Sequence, residues 1–86
     1  MILIDPPLVP RYGRTWSHLV SDVSFEELHA FAAEAGLPGR AFHRDHYDVP
    51  AELHQVMVSA GAVEVSTREI VTRLRAAGLR RRRSRC

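Results

Sequence analysis

The stretch Ser24-Phe25-Glu26-Glu27 fixes where the first helix of this chain begins, and the order of the fold follows from it. It has the spacing of a capping box. In that motif the serine hydroxyl accepts a hydrogen bond from the glutamate amide, and the glutamate carboxylate reaches back to the serine amide. Apolar residues then recur at helical spacing, and Gly36 suits the left-handed position after a helix end. The sequence therefore predicts a helix between Ser24 and Gly36.

Two further helices follow from similar signals downstream. Residues 66–69 (Ser-Thr-Arg-Glu) repeat the capping-box spacing, and Gly78 marks the end of the helix that they begin. Between these two helices, Pro50 suits the first turn of another one, which Gly61 ends. The chain is thus predicted to contain about three helices.

Short apolar runs between the helices predict the strands. These runs are residues 1–5, 16–21, 40–43 and 62–65, and residues 6–15 form a long connection that contains prolines. Strands that alternate with helices are typical of βαβ units, in which the strands are parallel. We therefore predict a small single α/β domain with a three- to four-stranded, mostly parallel sheet.

The positive charge is concentrated near the C-terminal end of the sequence. All twelve basic residues are arginine, and five of them lie in residues 80–86. The remaining seven oppose ten acidic residues, so residues 1–79 carry a net charge of −3. Residues 1–79 are predicted to form the domain. Residues 80–86 are predicted to form a disordered tail, which would attract nucleic acid through counterion release.

The apolar runs also bear on localisation. No run approaches the roughly 20 residues that a membrane-spanning helix needs. The first residues lack the basic region that opens a signal peptide. A cytoplasmic protein without membrane contact is therefore expected.

Residues 43–48, His-Arg-Asp-His-Tyr-Asp, are the densest group of chemically active side chains. Imidazoles and carboxylates together suit a divalent Zn, Mn or Fe ion. The predicted metal ligands are Asp5, Asp22, His43 and His46. Because an extended segment would point His43 and His46 to opposite faces, a turn near residues 44–45 is needed to aim both at one ion.

The predicted sheet would gather these groups at one place. The carboxyl ends of parallel strands open on the same edge, and ligands bind there. Three residues could act on a substrate at this edge, with or without a metal: His18, His46 and Asp48. The connection formed by residues 6–15 supplies three candidates for holding a phosphate group: Arg11, Gly13 and Arg14.

Several short motifs carry a resemblance to a known family. They are Ile-Asp (4–5), Gly-Arg (13–14), Ser-His-Leu (17–19) with Asp22, Glu-Leu-His (27–29), His-Tyr-Asp (46–48) and Gly-Ala (61–62). On these motifs the chain resembles the domain-of-unknown-function family 4031, which occurs in bacteria and phages. The resemblance covers the chain up to about Gly78. It implies a shared fold and a shared set of polar motifs, and it implies no reaction.

Two functional hypotheses from different classes remain open. The first is a metal-assisted hydrolase directed at a phosphoester, in a small molecule or in nucleic acid; the same residues could also perform acid–base catalysis without a metal. The second is a non-catalytic binding or adaptor module. In that case the side chains of the His-Tyr-Asp motif would form hydrogen bonds with backbone groups of a loop, and the arginine tail would contact nucleic acid weakly.

Overall fold

The computed structural model describes residues 1–80, which contain six strands and three helices. In chain order these are β1 (Ile2–Ile4), β2 (Val9–Arg11), β3 (Arg14–Ser21), α1 (Phe25–Glu34), β4 (Phe42–His43), β5 (His46–Pro50), α2 (His54–Ser59), β6 (Val63–Glu64) and α3 (Thr67–Ala76). Short 3₁₀ turns precede β4 and α2. Within the described residues, no helix is long and apolar enough to cross a membrane.

The six strands form one mixed sheet in the order β4-β5-β3-β1-β6, with β2 paired to the first part of β3. The chain is a small α/β domain, as predicted, but the prediction of a mostly parallel sheet was wrong. The pair β1–β6 is parallel, whereas the other four strand pairings are antiparallel. Two features explain the difference. Residues 5–13, between β1 and β3, contain no helix, and β3 runs antiparallel to β1. The strand β5, which was not predicted, lies between β3 and β4 and runs against both.

Two tight hairpins account for the strands that were missed. Tyr12 and Gly13, with φ of 54° and 73°, connect β2 to β3. Positive φ at both central residues is what a two-residue hairpin of the right twist requires. Arg44, with φ of 62°, lies in the turn from β4 to β5. The predicted connection 6–15 is therefore largely a hairpin, and the turn near residues 44–45 is present.

The two capping boxes are half formed. The hydroxyls of Ser24 and Ser66 each accept a backbone amide at 3.0 Å, from Glu27 and Glu69 respectively. The two glutamate carboxylates bind other side chains instead of reaching back to the serine amides. The serine caps thus fix the starts of α1 and α3. The second half of the motif is replaced by a contact with Ser21 of β3 in the first case and by an i,i+4 ion pair with Arg73 of α3 in the second.

Each serine cap is expected to contribute measurably to stability. Ser24→Ala and Ser66→Ala should each lower the free energy of unfolding by about 0.5–2 kcal/mol, because each leaves a helix amide without its acceptor. Urea denaturation would measure the change. Ser59→Ala is the matched control, since its hydroxyl makes only a 3.4 Å contact with Gln55 on the surface. Losses no larger than that of Ser59→Ala would show that the caps do not stabilise the helices.

The helices cover the two faces of the sheet unequally. The face that carries Leu19 and Tyr47 packs against α1 and α2 and forms the larger apolar cluster. The opposite face packs against α3 through a smaller cluster, formed by Leu3, Val20, Ile70 and Leu74. Beyond Val20, polar side chains of β3 and β5 occupy this second face and are only partly buried. The candidate site lies there, beside α3.

Candidate functional site

Three side chains converge on the half-covered face of the sheet: His18 from β3, and His46 and Asp48 from β5. One potential ligand atom from each lies within 4.8 Å of the other two. The sheet register explains the convergence. His18 and Asp48 are direct cross-strand partners, and His46 lies two residues before Asp48 on the same face. The pairing of β3 with β5, rather than a common strand end, therefore builds the cluster.

Asp5 holds His18 in place from behind. Asp5 directly follows β1 and is fully buried. Its Oδ1 accepts the backbone amide of His18 at 2.6 Å, and its Oδ2 lies 2.8 Å from the ring Nδ1. The hydroxyl of Thr67, at the start of α3, donates to Oδ2 at 2.7 Å. With Nδ1 bound to a carboxylate, the lone pair of the neutral ring is placed on Nε2.

The electrostatics of this pair follow from the same contacts. Burial raises the pKa of Asp5, but hydrogen bonds from the His18 ring, the His18 amide and Thr67 outweigh it, so the net shift is downward. The hydrogen bond to Asp5 raises the pKa of His18 against the opposing effect of burial. Asp5 is therefore an ionised acceptor at neutral pH, although it is closed off from solvent.

His46 is held in a similar way by its neighbour Asp45. Its Nδ1 lies 2.8 Å from Asp45 Oδ1, and its Nε2 lies 3.2 Å from Asp48 Oδ1. Arg80 donates to both oxygens of Asp45, at 2.7 and 3.1 Å. Burial raises the pKa of Asp45, and the hydrogen bonds from Arg80 and His46 lower it further than burial raises it. Both histidines thus bind a buried carboxylate through Nδ1, the arrangement that orients histidine ligands of metals.

The donor set suits a divalent metal. Zinc ligands lie about 2.0–2.2 Å from the ion, so two ligands of a tetrahedral site are about 3.4 Å apart. The 3.2 Å between His46 Nε2 and Asp48 Oδ1 is close to that spacing. Within residues 1–80, Nε2 of His18 makes no hydrogen bond. Two imidazole nitrogens and one carboxylate would leave coordination positions for water or substrate.

The other predicted metal ligands lie outside this cluster. Asp22 is at the opposite end of β1 from Asp5, where it accepts from Arg73 at 2.8 Å. His43 faces the same side as His46, with the two ring centroids 5.8 Å apart, but it is exposed. Asp5 itself binds a histidine rather than facing the cluster.

The three phosphate-binding candidates are placed differently from one another. Arg11 reaches across β3, and its Nη1 lies 3.7 Å from Asp48 Oδ2. Arg14 is paired with Glu52 at 3.1 Å on the surface. Gly13 is required by the hairpin turn, and no other part of the described protein lies within 4 Å of where its side chain would be. Arg11 is therefore the member of this set that adjoins the cluster.

A cavity of about 370 Å³ opens beside Asp48. Its walls combine apolar and aromatic side chains with two arginines, Arg11 and Arg40. Arg40, Thr67 and Arg80 were missed as site residues by the sequence analysis. Arg40 and Thr67 carry no local motif that would place them here. Arg80 was assigned to the predicted tail; residues 81–86 of that tail lie outside the described residues.

The hydrogen bond from Thr67 to the buried carboxylate of Asp5 is expected to stabilise the fold. Thr67→Val should lower the free energy of unfolding by about 1–2 kcal/mol, because it removes a hydrogen bond to a buried charge. Thr67→Ser should retain most of the stability. Thr72→Val, at an exposed position on the same helix, is the control, because it makes the same exchange of a hydroxyl for a methyl group away from Asp5. Thermal or urea unfolding that cannot distinguish the two valine variants would contradict the assigned hydrogen bond.

Comparison with protein families gives one match. A family model described as Protein of unknown function (DUF4031) matches residues 2–77. The curated proteins contain no match to this chain, and the solved structures contain none either.

Proposed function

We propose that this chain, which belongs to the family described as Protein of unknown function (DUF4031), binds a divalent transition metal and uses it to hydrolyse phosphoesters. The metal ligands in this proposal are His18, His46 and Asp48. The observation that carries the proposal is the pair of histidines anchored through Nδ1 by buried carboxylates. This pairing orients both Nε2 atoms toward the cluster.

Hydrolysis is the chemistry that this donor set and its neighbours support best. A bound metal of this kind lowers the pKa of its water to about 7 and so supplies a hydroxide at neutral pH. The protein contributes the metal ligands and a positively charged arginine side chain beside them. Arg11, more than half exposed and 3.7 Å from Asp48, can turn its guanidinium to a phosphoryl oxygen. A positive group beside the ligands favours an anionic substrate over a neutral one.

The competing interpretation is a non-catalytic module in which the same groups satisfy one another. The 3.2 Å contact between His46 and Asp48 is its supporting observation, because it is also hydrogen-bond distance. A third interpretation is catalysis without a metal, with His18 as a base oriented by Asp5. Metal binding and metal-dependent turnover separate the three.

The test uses the full chain purified without a histidine tag. Equilibrium dialysis against Zn²⁺, Mn²⁺ and Fe²⁺ under anaerobic conditions is expected to give one bound ion per chain. Turnover of bis(p-nitrophenyl) phosphate or p-nitrophenyl phosphate should appear with the metal and disappear with a chelator. Turnover that persists in the chelated protein would favour the metal-free mechanism. Absence of both metal binding and turnover would leave the non-catalytic module.

A further inference from the structure

We infer that the cavity beside Asp48 is a substrate pocket that takes a small phosphoester carrying a flat aromatic group. The inference rests on the proposed function, because it places the phosphoryl group at the metal ligands and the aromatic group in the cavity. Asp48 is the residue that the cavity and the metal-ligand cluster share. A ligand in the cavity would therefore have one end at the reacting centre.

Two aromatic side chains of the β2–β3 hairpin line the cavity, the exposed Tyr12 and the partly buried Trp16. The Trp16 indole nitrogen donates to the carbonyl of Arg11 at 3.0 Å, and the Arg14 guanidinium lies 5.9 Å from the ring centroid. A tryptophan fixed on a hairpin offers a flat apolar surface at little entropic cost. Aromatic groups of a ligand pack well on such a surface.

The net charge of the cavity lining is opposite in sign to the net charge of the domain. Residues 1–79 are net negative, yet the cavity contains two arginines and one carboxylate, Asp48. Arg11 belongs to the β2–β3 hairpin, and Arg40 belongs to the segment between α1 and β4. Within residues 1–80, Arg40 forms no ion pair, whereas Arg11 forms one, with Asp48 at 3.7 Å. Arg40 is thus available to phosphate oxygens, and Arg11 would exchange its long contact with Asp48 for one with the phosphate.

The size and remaining lining of the cavity limit the substrate to a small molecule. Its volume of about 370 Å³ is within the range of small-molecule pockets, roughly 300–1,000 Å³. Apart from the three charged residues and the two aromatic ones, the lining consists of Leu37, Pro38, Ala41, Pro50 and Leu53. An inorganic phosphate would leave this apolar surface unused, whereas an aryl phosphate would cover it. The pocket should therefore prefer the ester to the free anion.

Binding can be followed through Trp16, which is the single tryptophan of the chain. Phenyl phosphate and inorganic phosphate are titrated into the zinc-loaded full-length protein, with fluorescence and calorimetry as readouts. Phenyl phosphate should quench the emission and bind at least about tenfold more tightly than inorganic phosphate, because it buries a ring. Arg40→Ala should weaken phenyl phosphate binding by about tenfold or more. Arg75→Ala, an exposed arginine on α3, is the matched control and should change nothing.

Zinc binding of each variant is measured separately, so that the two proposals fail in different ways. Intact zinc binding with equal affinity for the two phosphates would overturn the pocket and leave the metal site standing. Wild-type affinity for phenyl phosphate in Arg40→Ala would also overturn it. If the unaltered protein does not bind zinc, the metal site itself is refuted. Quenching by phenyl phosphate with or without zinc, lost in Arg40→Ala, would support the pocket alone.

Discussion

Replacing Asp5 with alanine is expected to lower the free energy of unfolding by about 3–5 kcal/mol, the largest stability effect of any single change considered. Asp5 is fully buried and accepts three hydrogen bonds, two from His18 and one from Thr67. Its removal leaves three partly buried donors without an acceptor, and each such group carries a desolvation penalty. For a domain with only about 5–15 kcal/mol in total, this loss would leave a marginal fold.

Two further variants keep the Asp5 experiment informative. Asp5→Asn preserves the shape and one acceptor oxygen, so it should fold and should lose less stability than Asp5→Ala. It should also weaken metal binding about 10- to 100-fold, because it disturbs the group that orients His18. Glu52→Ala, which breaks an exposed ion pair with Arg14, should cost about 1 kcal/mol or less. Urea denaturation in which Asp5→Ala resembles Glu52→Ala would refute the structural importance of the buried carboxylate.

The helices could be predicted because their signals are local. The serine caps and the glycines that follow the helices lie within a few residues of the turns they control. The sheet could not be predicted in the same way, because strand pairing depends on residues that are distant in sequence. Residues 46–50 do alternate polar and apolar side chains, which is typical of a half-buried strand, but their chemistry led to their assignment as a loop. That assignment, together with the expectation that residues 1–5 and 16–21 form parallel strands, produced the wrong parallel sheet.

The candidate site shows the same division. Residue chemistry placed His18, His46 and Asp48 in a larger set of candidates that also contained Asp5, Asp22 and His43. The argument that joined them, a common edge of parallel strands, does not apply to this sheet. An antiparallel register joins them instead. Arg40 and Arg80 could not be found from the sequence, because each reaches the site from a distant segment and belongs to no motif.

The His-Tyr-Asp triplet serves both faces of the sheet. His46 and Asp48 face the cluster, whereas Tyr47 points into the larger apolar core. There its hydroxyl lies 2.7 Å from Nδ1 of His29 on α1. Because consecutive strand residues alternate in direction, a three-residue motif can combine two functional groups with one packing anchor. Tyr47 therefore anchors β5 against α1, while the pairing of β3 with β5 sets the spacing of His46 and Asp48 from His18.

The metal site predicts a sharp contrast among the histidines. His18→Ala and His46→Ala should each reduce zinc affinity by more than about 100-fold, since losing a ligand costs more than losing an orienting partner. His43→Ala is the matched control: its ring is exposed and lies 5.8 Å from that of His46, outside the cluster, so zinc affinity should remain unchanged. Calorimetric titration with zinc would measure all three variants.

Stability measured on the same variants separates the metal site from a structural network. His18→Ala and His46→Ala each leave a buried carboxylate without its ring partner, so a loss of about 1–3 kcal/mol in the metal-free state is expected in both cases. If the two histidines act as ligands, zinc should raise the melting temperature of the unaltered protein and should no longer raise that of the variants. If the two rings only satisfy buried carboxylates, zinc should have no effect even on the unaltered protein. A loss of zinc affinity in His43→Ala equal to that in His46→Ala would reject the assigned ligand set, because the geometry places His43 outside it.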